Sequence, residues 1–275
     1  MKRILLRTGK STFVIYLGVL VLLVLLERFL VYPAPSVLSG NWNASEFKAQ
    51  DVFFSSSDGT RLHGWYVEHP DPQAHILFCH GNGEHVGYLG SWLEALSDKL
   101  DASIFAFDYR GYGKSEGKPF EQGVLEDAEA AQDWLARRAG LERNEIVVYG
   151  RSLGGGVAVH LAGMHGAHAL VAERTFHSML EIGVRQYPFI PVRYLMRNQY
   201  PSDQRISTYS GPLLQLHGTD DEIVPLESAR ILFEACPSNQ KNFIEIPGMG
   251  HNDPAPGEFY DAFEMLIDAL DDPDT

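Results

Sequence analysis

One short stretch, VVYGRSLGGGVAVHLA at 147–162, constrains the fold more than any other part of the sequence. It places a serine between a β-branched apolar run and a helix-like segment, with Gly150, Gly154, Gly155 and Gly156 around it. Glycine lowers the stability of helices and strands, so such a cluster needs a geometric reason. A G-x-S-x-G turn between a strand and a helix supplies one, because it holds the serine at the tip of a sharp, strained turn.

Apolar runs alternate with helix-period segments along most of the chain. The runs are HILFC (75–79), SIFAF (103–107), EIVVY (145–149), ALVA (169–172), PLLQLH (212–217) and NFIEI (242–246), and the helical segments are 89–100, 124–138, 226–235 and 259–270. This alternation indicates a parallel sheet that is covered by helices on both faces. The alternating pattern on both sides of Ser-Asp-Gly within 51–69 predicts a leading antiparallel hairpin. The predicted fold class is therefore α/β, with one doubly wound, mostly parallel sheet.

Ser152 follows a predicted parallel strand, at the sheet edge where catalytic groups gather in such domains. The turn exposes its Oγ, and the N-terminus of the next helix favours a developing oxyanion. A glycine-rich packing turn or a phosphate-binding loop is the alternative interpretation. However, no lysine follows in P-loop spacing. We therefore predict Ser152 as a nucleophile.

A serine is a weak nucleophile unless a base takes its proton, and in this topology the acid and then the histidine follow it along the chain. His251 lies in the glycine-rich loop PGMGHND after the last predicted strand, and we predict it as the base. Asp220 and Asp221 both lie in the loop HGTDDEIVP after the preceding strand. We favour Asp221 as the acid and keep Asp220 as the alternative.

The loop CHGNGEHVG at 79–87 follows the third predicted strand, where a second oxyanion donor is expected. We predict the main-chain N–H of Asn82 as that donor and the N–H of Leu153, directly after the serine, as the other. A flexible glycine-rich loop is the alternative. His80 and His217 close strands and are expected to hold turns.

The ordered motifs HGNG, FDYRGYGKSEGKP, GRSLGG, HGTDDEIVP and GHND resemble the α/β-hydrolase superfamily of serine hydrolases, and are most similar to its membrane-anchored ABHD13/Bem46-like branch. The resemblance covers most of the chain after the first 46 residues. It implies that Ser152 is the nucleophile, Asp221 the acid and His251 the base. It also implies that Asn82 and Leu153 occupy the oxyanion positions.

A segment at about 174–208 lies where relatives may insert a cap domain. It is short here, so we expect helical turns that form a small partial lid. The substrate-binding candidates are its apolar residues Phe176, Met179, Leu180 and Phe189, with Leu195 and Met196 beside them. Ordinary packing against the sheet is the alternative for each of these side chains.

An uncharged run at 13–26, FVIYLGVLVLLVLL, follows a basic start that contains Lys2, Arg3, Arg7 and Lys10. A secretory signal peptide has a similar pattern but needs a cleavage site with small residues, and large residues follow Leu26. We therefore favour an uncleaved signal anchor over 13–32. A cleaved signal and a buried core helix are the alternatives.

The positive-inside bias would keep residues 1–12 in the cytoplasm. Residues 33–46 are then a linker or a loosely packed lead-in. The catalytic domain, 47–275, would lie outside the cytoplasm on a single-pass membrane protein.

Composition excludes several partners. Asp and Glu number 36 against 22 Lys and Arg, and the formal net charge of −14 argues against binding to a nucleic-acid backbone. Cys79 and Cys236 belong to no metal-ligand spacing, so no metal site is predicted. No organic cofactor is implied either.

The sequence thus predicts a membrane-anchored serine hydrolase that cleaves a carboxylic ester or thioester. The substrate class is an acyl lipid, an acylated protein or a small ester. Two alternatives stay open: a serine peptidase of the proline-type α/β-hydrolase branch, and a non-catalytic scaffold with this fold.

Overall fold

The computed structural model describes residues 2–270, and their side chains from residue 10 onward. The side chains of Lys2, Arg3 and Arg7, in the predicted cytoplasmic segment, lie outside the described residues, as do residues 271–275. Within this range the strands are β1 (Ala49–Ser55), β2 (Arg61–Val67), β3 (Ala74–Cys79), β4 (Ala102–Asp108), β5 (Val147–Arg151), β6 (Leu170–Glu173), β7 (Leu213–Gly218) and β8 (Lys241–Ile246). They form one sheet in the order β1-β2-β4-β3-β5-β6-β7-β8.

The sheet is mostly parallel, with an antiparallel hairpin at one edge. β1 pairs antiparallel with β2 and β2 antiparallel with β4, whereas the other neighbouring strands are parallel. In the hairpin turn, the N–H of Ser56 donates to the carbonyl of Thr60 at 2.9 Å. Gly59 in this turn has a φ of +85°. The predicted fold class is confirmed.

Helices cover both faces of the sheet. They are α1 (Lys2–Val31), α2 (Val86–Leu100), α3 (Glu121–Ala139), α4 (Leu153–His165), α5 (Met179–Gln186), α6 (Val192–Leu195), α7 (Ser202–Ile206), α8 (Leu226–Ala235) and α9 (Gly257–Leu270). Alternate side chains of β3 enter two different cores: Leu77 packs with α3 and α4, and Phe78 packs with α2 and α9. Because both faces of the central strands are buried, these strands are continuous apolar runs in the sequence.

The predicted lid region contains three short helices, α5, α6 and α7, between β6 and β7. Ser178 caps α5 by accepting the N–H of Glu181. Residues Ser178 and Pro201 form an isolated antiparallel bridge at the base of the segment. The lid is therefore small and is fixed at its two ends.

The N-terminal helix α1 packs against the lid. A carboxylate oxygen of Glu27 accepts the main-chain N–H groups of Arg197 and Asn198, at 2.7 and 3.0 Å, and the side-chain amide of Asn198 at 2.8 Å. Directly after the helix, the buried Tyr32 hydroxyl lies 2.9 Å from Asn198 Oδ1 and 2.8 Å from the Tyr200 hydroxyl. The C-terminal end of α1 is thus packed into the domain that contains the sheet.

Trp42 and Ala44 attach the segment at 33–46, predicted as a linker or a loosely packed lead-in, to the rest of the domain. Trp42 stacks on His85, with ring centroids 4.7 Å apart, and its indole N–H donates to the carbonyls of Val37 and Ser39. Ala44 is buried against α2. Most other residues of the segment are exposed.

Candidate active site

Ser152 lies at the tip of the turn between β5 and α4. Its backbone has a φ of +53° and a ψ of −117°, a conformation that L side chains rarely adopt. Its N–H donates to the carbonyl of Glu173 at 2.9 Å, and its carbonyl accepts the Thr175 hydroxyl at 2.8 Å and the N–H of Gly155 at 2.9 Å. These bonds hold the strained conformation in place, as is common at functional sites.

Two of the surrounding glycines are required by close packing. A Cβ at Gly154 would overlap the carbonyl oxygen of Cys79 on the neighbouring strand β3. A Cβ at Gly150 would overlap the carbonyl of Gly154 in the first turn of α4. The glycines therefore let the helix begin directly against the sheet, which leaves the serine at the exposed corner.

The side chains of Ser152, His251 and Asp221 are connected by hydrogen bonds. His251 Nε2 lies 3.0 Å from Ser152 Oγ, and His251 Nδ1 lies 2.7 Å from Asp221 Oδ2. His251 comes from the loop after β8, and Asp221 from the loop after β7. Parallel strands end at one edge of the sheet, so residues far apart in sequence meet there.

Asp221 rather than Asp220 contacts the histidine. Its second carboxylate oxygen accepts the N–H groups of Ile223 and Val224, at 3.0 and 2.7 Å. Burial raises the pKa of the Asp221 carboxyl, but the hydrogen bonds from His251 and Val224 outweigh it and lower that pKa below its ordinary value. Asp220 is exposed, and within the described residues its carboxylate accepts only the neighbouring hydroxyl of Thr219.

His217 supports the acid loop, which agrees with the prediction that it holds a turn. Its Nε2 lies 2.8 Å from the carbonyl oxygen of Val224 and 3.4 Å from Asp221 Oδ2. Burial lowers the pKa of His217. His80, at the end of β3, is likewise buried, and its Nδ1 lies 2.7 Å from the carbonyl oxygen of Gly81.

The two predicted oxyanion donors, Asn82 and Leu153, both line the cavity that contains Ser152. In the described part of the chain, neither main-chain N–H donates to another protein group. The side chain of Asn82 is held by its own bonds: it donates to the carbonyl of Val31 and accepts the Tyr112 hydroxyl. Both N–H groups are thus available to an oxygen atom beside Ser152.

A network of ion pairs around the buried Glu173, next to the serine turn, was not predicted from the sequence. Glu173, fully buried at the end of β6, pairs with Arg151 at 2.9 Å and with Arg174. Arg151 continues to Glu84 at 3.0 Å, and Glu84 accepts the N–H of Gly81 at 2.8 Å. These ion pairs therefore connect the serine turn to the loop of Asn82. Charged residues directly at the ends of apolar strands were the signal that could have revealed it.

The arginines of this network control the protonation of Glu173. Burial raises its pKa, but the charges of Arg151 and Arg174 outweigh burial and lower the pKa to about 2. Arg174 also donates to the carbonyl of Asp253, two residues after the histidine. The carboxylate at the centre therefore stays charged and links three loops of the site.

A cavity of about 800 Å³ opens beside the three hydrogen-bonded side chains. This volume is typical of a small-molecule site. Of the predicted substrate contacts, Phe176 and Met179 line it, together with Leu195 and Met196. Ile182, Gly183 and Gln186 join Met179 on one face of α5, at helical spacing.

Leu180 and Phe189, the other two predicted substrate contacts, are not among the residues that line the cavity. Leu180 follows Met179 on α5, and adjacent helical positions point to different faces. Phe189 lies in the loop between α5 and α6, where its side chain is 89% exposed. Apolar character alone did not distinguish the inner face of the lid from its outer surface.

Part of the cavity wall comes from α1, which the sequence did not predict. Leu23, Val24, Glu27, Leu30 and Val31 line it, followed by Pro33. The signal was Glu27, because a carboxylate in a strongly apolar helix is costly unless it has a partner. Its partners are the lid N–H groups described above.

Comparisons with known proteins find similar sequences and a similar fold. Residues 70–180 match the family described as serine aminopeptidase, S33. A protein of Mycobacterium tuberculosis is 38% identical over 223 residues, which cover 80% of this chain and 77% of that protein. The α/β hydrolase domain-containing protein WAV2 of Arabidopsis thaliana is 30% identical over 263 residues, with 87% and 85% covered. Among solved structures, the Pyrococcus furiosus esterase Pf2001 superposes with a TM-score of 0.71 at 20% identity, covering 86% of this chain and 98% of the esterase.

Proposed function

This chain belongs to the α/β-hydrolase superfamily, and from that premise we propose that it is a membrane-anchored serine esterase that cleaves carboxylic esters or thioesters. One observation carries the proposal: Ser152 Oγ, at the tip of a strained turn, lies 3.0 Å from His251 Nε2, whose other ring nitrogen is bound by Asp221. Such a nucleophile, base and orienting acid act together in acyl transfer. A preassembled set of this kind favours an enzyme over a non-catalytic scaffold.

In the proposed reaction, Ser152 Oγ attacks the ester carbonyl carbon while His251 Nε2 accepts the serine proton. The carbonyl oxygen becomes an oxyanion, which the N–H groups of Asn82 and Leu153 stabilise. Collapse breaks the bond to the alcohol or thiol, which leaves with the proton from His251. A water molecule, deprotonated by the same histidine, then hydrolyses the acyl-serine and releases the acid. Asp221 orients the imidazole and stabilises its charged form throughout.

The matched family's description makes an aminopeptidase the competing function. Such an enzyme needs a free carboxylate that binds the substrate α-amine. In the described part of the chain, the cavity-lining carboxylates are Glu27, Glu84 and Asp253. Both oxygens of Glu84 are engaged by Gly81 and Arg151, whereas the bonds to Glu27 use only Oε1 and the bond to Asp253 uses only Oδ2. Aminoacyl amides are therefore included in the substrate panel below, because they test the peptidase directly.

The membrane part of the proposal rests on α1. Among the described residues, one helix is long and apolar enough to cross a membrane, at Lys10–Val31, although a signal sequence would pass the same test. Cleavage would remove Glu27 from the lid and expose the buried contacts of Tyr32. This supports a retained anchor. The basic N-terminus then favours a cytoplasmic start and a catalytic domain on the other side.

The function is tested with purified full-length enzyme in detergent, on a panel of acyl esters, acyl thioesters and aminoacyl amides. We expect hydrolysis of the esters or thioesters and loss of that hydrolysis in Ser152→Ala. Cleavage of the amides alone would replace the esterase proposal with the peptidase. Protease accessibility of the domain in intact cells tests the topology, and protection from external protease would contradict the extracytoplasmic placement.

A further inference from the structure

One face of α1 is turned toward the catalytic cavity. The lining residues Leu23, Val24, Glu27, Leu30 and Val31 follow the spacing of a single helical stripe. Leu22 and Leu25 do not line the cavity and are 52% and 70% exposed, whereas four of the five lining residues are half-buried and Leu30 is 53% exposed. The helix therefore has an inner face that belongs to the site and an outer face that does not.

The stripe starts near the loop of Asn82 and extends away from it along the helix. Asn82, the proposed oxyanion residue, donates its side-chain amide to the carbonyl of Val31 at the end of the helix. From Val31 back to Leu23 the helix rises about 12 Å, at about 1.5 Å per residue. A molecule that reaches Ser152 can therefore extend along α1 toward the apolar run at its N-terminal side.

The far part of this channel is mostly apolar on both sides. Opposite α1, the lid contributes Met179 and Ile182 from α5, and Val192, Leu195 and Met196 from α6 and its end. Glu27 is the one carboxylate that α1 adds to the lining, and its Oε1 accepts three N–H groups of the lid. Apart from Glu27, the residues that α1, α5 and α6 contribute to this stretch are uncharged.

We propose that the N-terminal helix is the acyl-selecting wall of the active site. The acyl chain of a membrane lipid ester lies between α1 and the lid, with its ester carbonyl at Ser152 and its tail directed along Val24 and Leu23. This inference rests on the proposed esterase function and deepens it. A lipid is the occupant because the wall is continuous with the one helix, within residues 2–270, that could enter a bilayer.

The test compares two adjacent leucines of α1 that carry the same substitution. Leu23→Trp fills the channel, whereas Leu22→Trp adds the same bulk to the outer face. Both full-length variants are assayed in detergent on p-nitrophenyl esters from butyrate to palmitate, and kcat/KM is expressed as the ratio of palmitate to butyrate. Val24→Phe is the second channel variant, in case Leu23→Trp fails to fold, and Leu23→Ala widens the channel.

Each methylene group that is excluded from an apolar site costs about fourfold in kcat/KM, so the exclusion of three lowers it by a factor on the order of 60. We expect the palmitate-to-butyrate ratio to fall by roughly this factor in Leu23→Trp and Val24→Phe, and to stay near the wild-type ratio in Leu22→Trp. Leu23→Ala should shift the preferred chain to greater length.

Equal ratios in Leu23→Trp and Leu22→Trp, with Ser152-dependent butyrate hydrolysis retained, would overturn the acyl wall and leave the esterase proposal intact. Absence of Ser152-dependent hydrolysis of every ester would overturn the esterase function, and this inference with it. A second arm uses phosphatidylcholine vesicles that contain either a monoacylglycerol or a palmitoylated peptide thioester. Turnover of the peptide alone would replace the lipid with an acylated protein as the occupant.

Discussion

The two ends of the cavity are constructed differently. At the catalytic end, Ser152, Asp221 and His251 stand on loops at strand ends, and hydrogen bonds and buried ion pairs fix each of them. At the other end, the wall consists of α1 and a lid that meet through few polar bonds, chiefly those of Glu27. We therefore expect the reaction chemistry to depend on the sheet and its loops, and substrate choice to depend on α1 and the lid.

The largest effect should come from the catalytic end. Ser152→Ala should lower kcat for ester hydrolysis by a factor on the order of 10⁴ to 10⁶, because loss of the nucleophile removes the acyl-enzyme path. Steady-state assays measure the rate, and circular dichroism checks that the variant is folded. Substantial remaining turnover in a folded variant would place the nucleophile elsewhere.

A large loss of kcat is also expected when the proposed acid, Asp221, is changed. Asp221→Asn should lower kcat by about 10⁴, because the amide favours the wrong histidine tautomer. Asp220→Asn is the matched control and should change kcat little, since Asp220 is exposed and does not touch the histidine. The reverse ranking of the two variants would make Asp220 the acid.

A moderate effect should follow from breaking the network of ion pairs at Glu84. Glu84→Ala removes the acceptor of the Gly81 N–H and the partner of Arg151. Misplacement of one oxyanion donor should lower kcat by about 10- to 100-fold, with KM less affected. Glu84→Gln keeps an oxygen acceptor and should restore part of the loss. An equal rise in KM and no rescue by glutamine would indicate a purely structural role.

Glu173 should make stability depend on pH at the catalytic end. Its pKa is about 2 in the folded protein and 4.5 in the unfolded chain, so the unfolded chain binds the proton first as pH falls. The stabilisation is complete above pH 4.5 and should decline as the pH approaches 2. Urea midpoints between pH 3 and pH 7 measure it, and Glu173→Gln should flatten this acid-side slope. An unchanged slope would contradict the assignment.

The smallest effect is expected where α1 meets the lid. Glu27→Ala leaves the N–H groups of Arg197 and Asn198 without their acceptor, at a cost of about 1–3 kcal/mol. Trypsin should then cleave after Arg197 faster than in the wild type. Short-ester kcat should change far less than in Glu84→Ala. A loss of short-ester kcat as large as that in Glu84→Ala would contradict the proposed difference between the catalytic end of the cavity and the end formed by α1 and the lid.

The sequence was informative where backbone rules are strict. The strand and helix alternation, the serine turn and the order of acid and histidine follow from periodicity and topology, so they predict the sheet and the meeting of Ser152, Asp221 and His251. Long-range packing of side chains follows no such local rule. The docking of α1 on the lid depends on contacts between segments more than 150 residues apart, for example from the Tyr16 hydroxyl to the main-chain carbonyl of Phe189.

Covalent labelling tests the central claim most directly. Full-length enzyme is treated with a fluorophosphonate probe, digested, and mapped by mass spectrometry. We expect a single adduct on Ser152, formed by the native protein, absent after heat denaturation and absent in Ser152→Ala. An adduct on another residue, or unchanged labelling of folded Ser152→Ala, would contradict it.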